Sequence, residues 1–204
     1  MPGAGKSFIS SIAIKHLKTV RTAGHPFVVT YLFCDYKSRM QQSVEGMLSI
    51  LLGQLMKQSP DRESGTRLWH RCKRSGTRAS ASDLTGPLAE ILRSFEATTR
   101  VCVIIDGLDE CRRDGTVKDM MKRLFKLQKN TGLRILVTLR PVNEVTDIFD
   151  EHSYLQLDIC AQKEDLESYV QNKVARSSSL DWLPKQVGLW NSIQDSLIQI
   201  ADGM

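Results

Sequence analysis

The sequence predicts an α/β protein in which a mostly parallel sheet lies between two layers of helices. Residues 101–105 are five consecutive apolar residues that end at Asp106, as in a strand buried on both faces. Residues 133–139 repeat this design, with a largely apolar run that ends next to Arg140. Segments with apolar residues at helical spacing separate the strands, and this alternation favours a doubly wound sheet.

The first 58 residues contain a predicted helix, a strand and a second helix. Residues 8–21 place Ile, Ala, Leu and Val at helical spacing and predict the first helix. Residues 26–36 are rich in β-branched and aromatic residues, which predicts a strand that ends near Asp35. Residues 43–58 have a broad apolar face and predict the second helix.

The middle of the chain begins with a polar, basic segment and continues with two predicted helices. Over residues 59–82 no apolar pattern stands out. Residues 83–97 predict a helix with Asp83 as its N-cap. Residues 116–130 predict another helix, which Gly132 ends before the strand at residue 133.

The last fifty residues are read as one weak strand and two helices. Residues 154–159 alternate apolar and polar side chains, which predicts a short strand. Residues 163–177 predict an amphipathic helix. Residues 177–189, rich in serine with a proline and a glycine, predict a connection, and residues 196–204 predict the start of a further helix.

The composition is that of a globular protein, with 41% hydrophobic and 25% charged residues. The longest apolar stretch, residues 47–56, is well short of the roughly 18 to 20 residues that span a bilayer. We therefore expect no transmembrane helix and no membrane partner. The N-terminus lacks the pattern of a signal peptide and the five cysteines include no CxxC pair, so we expect a cytoplasmic protein with reduced thiols.

One short segment concentrates positive charge. A basic segment with aromatic residues can attract phosphates or acidic lipids, but it is also typical of a solvated helix face or a loop. With a single tryptophan among the cations we favour the solvated face and do not expect a nucleic-acid partner. The residues concerned are Arg62, Arg67, Trp69, His70, Arg71, Lys73, Arg74 and Arg78.

The first seven residues, MPGAGKS, match the phosphate-binding motif GxxxxGK[ST] except for its leading glycine. In such a loop, glycines let backbone N–H groups turn towards phosphate oxygens, and the N-terminus of the next helix adds positive potential. The lysine reaches the terminal phosphates and the serine holds magnesium, so we expect a nucleotide and Mg²⁺ as cofactors. The candidate nucleotide-binding residues are Gly3, Ala4, Gly5, Lys6, Ser7 and Phe8, and Ser7 is also a candidate magnesium ligand.

Polar residues follow two predicted strands at the edge where open α/β sheets bind their ligands. Asp106 ends the first of these strands and is a candidate for holding magnesium through a water molecule. Asp109 and Glu110 are candidates for polarising the attacking water, and Arg140 for stabilising charge on the γ-phosphate. Taken singly, the acids also fit a polar turn after a strand, and the arginine fits a capping or surface residue.

In this order, the motifs resemble the NACHT family of signal-transducing P-loop ATPases, of the fungal type with a nephrocystin-like N-terminal domain. The segment PGAGKS is similar to the family's Walker A motif, VCVIIDGLDEC to its Walker B motif, and RILVTLRP to its sensor 1. FCDYKSRMQQSVEGMLSILLGQL is similar to its second strand and following helix, so the resemblance covers nearly the whole chain. It implies a three-layer P-loop NTPase core over residues 1–160 and, over residues 161–204, a helical segment that leads towards a lid.

The resemblance also implies a function, that of an ATP-binding module in a STAND-type signalling switch. Members of the family hold ADP when closed, exchange it for ATP on receiving a signal, and oligomerise. We therefore expect ATP or ADP with Mg²⁺, slow hydrolysis that uses Asp109, Glu110 and Arg140, and a second copy or NACHT relatives as partners. The choice of ATP over GTP follows from the resemblance alone.

The sequence departs from the family's pattern at its start. In the folds that it resembles, a strand leads into Walker A and lies between the sensor 1 strand and the last strand, whereas this sequence starts after that strand. We expect the difference to weaken nucleotide affinity and to destabilise the isolated chain or favour its oligomerisation. Two alternatives remain open, a nucleotide-free fragment that docks through exposed sheet edges and an incomplete gene product. A basic nucleic-acid binder is a more distant alternative.

Overall fold

The structure is a computed structural model. It describes residues 5–20, 26–95, 99–112, 114–140, 147–149, 152–159, 163–177, 180 and 182–202. The chain divides into two compact units, Gly5–Tyr154 and a smaller one that contains the described residues from 155 to 202.

The larger unit alternates helices with strands, as the sequence predicts. Short 3₁₀ turns at Tyr36–Gln41 and Leu108–Glu110 follow the first two strands. In chain order the elements are α1 (Lys6–Thr19), β1 (Phe27–Phe33), α2 (Val44–Gln58), α3 (Glu63–Ser75), α4 (Ala81–Ser94), β2 (Arg100–Asp106), α5 (Thr116–Thr131) and β3 (Arg134–Val137).

The three strands form a parallel sheet in the order β1-β2-β3, so β2 is central among the described strands. Phe33 at the end of β1 lies opposite Asp106, and Val137 at the end of β3 lies opposite Ile105. The carboxyl ends of all three strands therefore meet at one edge. The prediction of an α/β fold with a parallel sheet between helices is confirmed.

The two faces of the sheet are covered unequally. On one face, Val103 and Ile105 belong to the large apolar core formed with α2, α4 and α5. On the other face, Ile104 packs in a small cluster with Val29 and with Ile14 of α1. Alternate residues of the buried strand β2 thus serve two different layers, which explains its unbroken apolar run.

Helix α4 starts earlier than the sequence predicts. Its N-cap is Ser80, whose hydroxyl accepts a hydrogen bond from the Asp83 N–H at 3.2 Å, while the Asp83 carboxylate accepts one from the Ser80 N–H at 3.0 Å. This reciprocal pair is a capping box. The prediction of Asp83 as the N-cap was therefore wrong. Asp83 occupies the third helical position, from which its carboxylate accepts the hydrogen bond of the N-cap N–H.

The sequence did not decide whether the basic segment is a helix or a loop. Most of it forms helix α3. Its buried side consists of the small residues Ser64 and Gly65 together with Leu68. A face with so few large apolar residues gives little periodic signal among the surrounding cations.

The predicted strand at residues 154–159 was wrong, since this segment has no regular secondary structure. Leu155 and Leu157 are 98% and 87% exposed. Alternating apolar and polar residues form a strand only where a neighbouring strand can pair with them and a core can bury the apolar side chains.

The smaller unit consists of helices α6 (Lys163–Ala175) and α7 (Val187–Asp202), with a 3₁₀ turn at Leu183–Lys185 before α7. Helix α7 begins nine residues before the predicted start at 196, so the predicted connection at 177–189 is shorter than expected. Helix α7 contacts both α6 and the 3₁₀ turn. No helix in the described part of either unit has the length and apolar character needed to cross a membrane.

Candidate functional site

Three hydroxyl groups converge on the carboxylate of Asp106 at the carboxyl end of the sheet. Asp106 is 3% exposed and is the last residue of the central strand. The Ser7 hydroxyl donates to Oδ2 at 2.5 Å, and the hydroxyls of Ser10 and Thr138 donate to Oδ1 at 2.7 and 2.6 Å. One buried carboxylate therefore joins α1, β2 and the residue after β3.

The sequence around Gly5 explains how α1 reaches this carboxylate. Gly5 has φ 76°, a left-handed conformation that favours glycine, and its carbonyl accepts the first helical hydrogen bond, from the Ile9 N–H at 2.9 Å. Ser7 and Ser10 are three residues apart, so both hydroxyls project from the same side of the helix. The first-turn N–H groups have no intrahelical partner and give this end of α1 a positive potential.

The other predicted phosphate-binding residues differ in what they present. Lys6 is the first residue of α1 and is half-buried. Phe8 is 70% exposed, so its ring lies in solvent. Gly3 and Ala4 lie outside the described residues.

Thr138 binds the loop after β2 as well as its carboxylate. Its hydroxyl accepts a hydrogen bond from the Gly107 N–H at 3.0 Å while donating to Asp106. Its backbone continues the ladder between β2 and β3, since Thr138 N–H donates to Ile105 at 2.9 Å and Leu108 N–H donates to Thr138 at 3.0 Å. Gly107 has φ 68°, and a β-carbon there would lie 3.4 Å from the Cys34 carbonyl oxygen.

The two acids after Gly107 lie against Arg140. Asp109 is 6% exposed, and its Oδ1 accepts a hydrogen bond from the Arg140 backbone N–H at 3.0 Å. The Arg140 guanidinium lies near both acids, with Nε 3.3 Å from Asp109 Oδ2 and Nη2 3.7 Å from Glu110 Oε1. The Nε contact is an ion pair without hydrogen-bond geometry. Glu110 Oε2 also accepts a long hydrogen bond of 3.4 Å from the Tyr36 N–H.

The thiol of Cys34 lies close to the carboxyl edge of the sheet but is unreactive. Its N–H donates to the Asp106 carbonyl oxygen at 2.9 Å. A hydrogen bond with the Cys111 thiol, followed by burial, raises the pKa of Cys34 far above the usual range. The thiol therefore stays protonated at neutral pH, and protonated buried thiols are poor nucleophiles.

Ser10 and Thr138 were missed at the sequence level, although both contact Asp106 directly. The signal for Ser10 is its spacing of three from Ser7 on a helix, which places the two on one face. The signal for Thr138 is its place after an apolar run that ends at the same sheet edge. Neither signal is strong alone, because serine and threonine occur throughout this chain.

Two oxygen ligands lie close to the N-terminus of α1, the Ser7 hydroxyl and the Asp106 carboxylate. Magnesium prefers such ligands and retains several waters, so it is commonly held by one or two protein carboxylates together with phosphate oxygens. The residues present therefore fit a magnesium ion accompanied by a phosphorylated ligand. In the part of the chain that the structure describes, no cluster of three or more His, Cys, Asp or Glu side chains suits a metal ion.

Comparison with known families supports one part of the resemblance. The family model described as "Nephrocystin 3, N-terminal" matches residues 1–140, which include both strand-end motifs and Arg140. No curated protein sequence matches the chain. Because the family match covers 140 of the 204 residues, the chain belongs to the nephrocystin 3 N-terminal family.

Proposed function

We propose that this chain is the nucleotide-binding module of a NACHT-type signalling switch and that it binds ATP or ADP with magnesium. The observation that carries the proposal is the 2.5 Å hydrogen bond from Ser7 to Asp106. It joins a glycine-preceded helix N-terminus to a carboxylate at the end of a buried parallel strand. Each of these features occurs widely, but their contact is the arrangement that P-loop nucleotide sites require.

The phosphate end of the nucleotide would bind at the start of α1. The N–H groups of Lys6, Ser7 and Phe8 belong to the first helical turn, where backbone donors are free to bind an anion. The first turn of α1 contains no acidic residue that would oppose a phosphate. The half-buried Lys6 adds a full positive charge next to these donors.

Ser7 and Asp106 would hold magnesium, which when bound neutralises charge on the phosphates. Ser10 and Thr138 both donate to Asp106 Oδ1, so Oδ2 is the oxygen that faces Ser7. The two inner hydroxyls therefore orient the carboxylate so that Oδ2 faces Ser7, where magnesium would bind.

Slow hydrolysis of the nucleotide would use the residues around Arg140. The Asp109 carboxylate anchors the Arg140 backbone at 3.0 Å and lies against its guanidinium. A guanidinium held in this way can stabilise charge that develops on a terminal phosphate. Glu110 is less buried than Asp109, with a quarter of its side chain exposed, and is the better candidate for contact with an attacking water.

The test compares Lys6→Ala with Lys15→Ala, because Lys15 is an exposed lysine of the same helix. Both variants lose one positive charge. A fluorescent ATP analogue is titrated in the presence of magnesium. We expect Lys6→Ala to weaken binding at least about tenfold, equivalent to about 1.4 kcal/mol, and Lys15→Ala to leave it within about twofold.

Equal binding by wild type and both variants would remove Lys6 from the site and overturn the proposal. Negligible binding by the wild type would instead favour the nucleotide-free alternative, in which the chain acts through its surfaces. One observation favours that alternative. Leu136 on β3 is 41% exposed, so the sheet presents apolar surface on which another protein could dock.

A further inference from the structure

Residues 62–78 concentrate positive charge. Residues 62–78 contain six of the 28 Lys and Arg and one of the 23 Asp and Glu, so they carry a net charge of +5. The whole chain also has a net charge of +5, and its other 187 residues are therefore neutral overall. A cluster of cations of this kind attracts anions to the surface that presents it.

Helix α3 presents most of this charge to solvent. Its buried Leu68 faces the helical layer, where α3 contacts α4 and α2. Arg67 lies 2.9 Å from Glu63 and 3.2 Å from Glu90, and Arg71 lies 2.6 Å from Asp83. These pairs neutralise the side of α3 that faces α4.

The remaining cations are not neutralised in this way. Among the described residues, Lys73, Arg74 and Arg78 form no ion pair with a carboxylate. Lys73 and Arg74 lie beside His70 at an open part of the surface. These cations remain available to an anion from outside.

Two aromatic rings accompany these cations. Trp69 is 55% exposed, and its ring lies 4.8 Å from the His70 ring in an edge-to-face arrangement. The Lys73 ammonium lies 4.9 Å from the centre of the Trp69 ring. We define the basic face as Trp69, His70, Lys73 and Arg74 of α3.

We propose that the basic face binds single-stranded nucleic acid without sequence preference. Its cations would contact successive phosphates, and Trp69 and His70 would stack on unpaired bases. A row of cations combined with exposed aromatic rings is the arrangement by which proteins bind single strands. This proposal departs from the sequence-based preference for a solvated face that binds no partner.

Two other polyanions fit the basic face less well. Insertion into an anionic membrane needs an apolar strip beside the cations. The apolar side of α3 is already packed against α4 and α2, so only Trp69 is left for insertion. An acidic peptide supplies carboxylates but few planar groups to stack on Trp69, and α3 already pairs carboxylates through Arg67 and Arg71.

The test measures the fluorescence anisotropy of a labelled single-stranded RNA of about 20 nucleotides. The variant Lys73→Glu with Arg74→Glu is compared with Lys122→Glu with Lys126→Glu, two exposed lysines of α5. Both double variants change the net charge by −4, so only the position of the charge differs. We expect the first to weaken binding at least tenfold and the second to change it less than about threefold.

A third variant separates stacking from charge. We expect Trp69→Ala to weaken binding about fivefold or more, because base stacking is lost. The slope of log affinity against log salt should stay the same for this variant, because no phosphate contact is removed. For the Lys73 and Arg74 double variant the slope should become shallower.

Three outcomes would overturn the proposal. Equal losses in the two double variants would show that only net charge matters. An affinity of the wild type that does not fall with added salt would exclude phosphate contacts. Stronger binding to phosphatidylserine vesicles or to polyglutamate than to RNA would assign the basic face to a membrane or to an acidic protein. Circular dichroism of each variant checks that the overall helix content is unchanged.

Discussion

At the scale of single residues, the feature that organises this protein is a buried carboxylate with three hydroxyl partners. Asp106 is 3% exposed, and a buried carboxylate is tolerated only where donors replace the water that it loses. Ser7, Ser10 and Thr138 supply these donors at 2.5 to 2.7 Å. Each hydroxyl should therefore contribute to folding as well as to the site.

Replacement of Thr138 by valine tests this contribution. Thr138→Val preserves the shape of the side chain but removes the donor to Asp106 and the acceptor for Gly107 N–H. We expect the free energy of unfolding to fall by about 1 to 3 kcal/mol, because two buried polar groups lose a partner. Urea denaturation monitored by circular dichroism measures the change.

Thr19→Val is the matched control. Thr19 is exposed, and among the described residues its hydroxyl bonds to the Lys15 and His16 carbonyls of its own helix. We expect a change within about 0.5 kcal/mol for this variant. A Thr138→Val protein as stable as the Thr19→Val protein would show that Thr138 does not support Asp106.

The sequence predicts part of this network and cannot predict the rest. The meeting of Ser7 with Asp106 is predictable, because a glycine-preceded serine and an acid after an apolar strand each belong to a motif with a known place at the sheet edge. Ser10 and Thr138 belong to no such motif. Their role arises only when the helix and the strands are packed together, and small hydroxyl residues leave no periodic pattern that reveals it.

At the scale of secondary structure elements, helix ends show how local chemistry sets the boundaries. The capping box at the start of α4 uses Ser80 and Asp83, and Arg71 of α3 lies 2.6 Å from the same carboxylate. The hydrogen bonds from Ser80, with a smaller effect of Arg71, hold the pKa of Asp83 below its ordinary value of 3.8. The ionised form of Asp83 is therefore favoured by the folded state.

This shift predicts a dependence of stability on pH. Because the folded-state pKa of Asp83 is lowered, its contribution to stability is present above pH 3.8 and is lost as the pH falls through the folded-state pKa. We expect Asp83→Asn to be less stable than wild type at about pH 7, and the difference to shrink at about pH 3. Thermal unfolding at both pH values measures the effect.

Asp195→Asn, at an exposed position of α7, is the control for Asp83→Asn. It changes the charge equally without touching a cap. A stability difference between wild type and Asp83→Asn that stays constant from neutral to acid pH would contradict the prediction.

Elements were predictable where one face is strongly apolar and difficult where it is not. The strand at Arg100–Asp106 and the helix at Val44–Gln58 bury long apolar runs and were located closely. Helix α3 buries little beyond Leu68, so its sequence did not distinguish a helix from a loop. Residues 154–159 have the alternation of a strand, but a strand also needs a partner edge, which a single-sequence pattern cannot supply.

At the scale of the whole molecule, the sheet divides the larger unit into a thick and a thin layer. Three helices cover the face that carries Ile105, whereas α1 is the helix in the small cluster at Ile104. Leu136, the neighbour of Ile104 on β3, is 41% exposed. Ile104 and Ile105 are thus identical, equally buried side chains that pack in different layers.

Ile105→Ala and Ile104→Ala form a matched pair that compares the layers. Both side chains are fully buried, so each substitution should cost about 2 to 5 kcal/mol of unfolding free energy. We expect the larger loss at Ile105, because helices packed on all sides cannot close a cavity there, whereas α1 can shift towards the sheet at Ile104. Denaturant titration measures both, and a larger loss at Ile104 would contradict this division.

The attachment of α1 has a mechanical consequence. Hydroxyls at its amino end fix it to Asp106, while towards its other end Ile14 and Leu17 make apolar contacts that allow sliding. We therefore expect the helix to tilt about this one carboxylate. It is 14 residues long, about 21 Å, so a tilt of about 5° at the pivot displaces the far end by about 2 Å. A change in what Asp106 binds would then move the far end of α1 by a larger distance than its amino end.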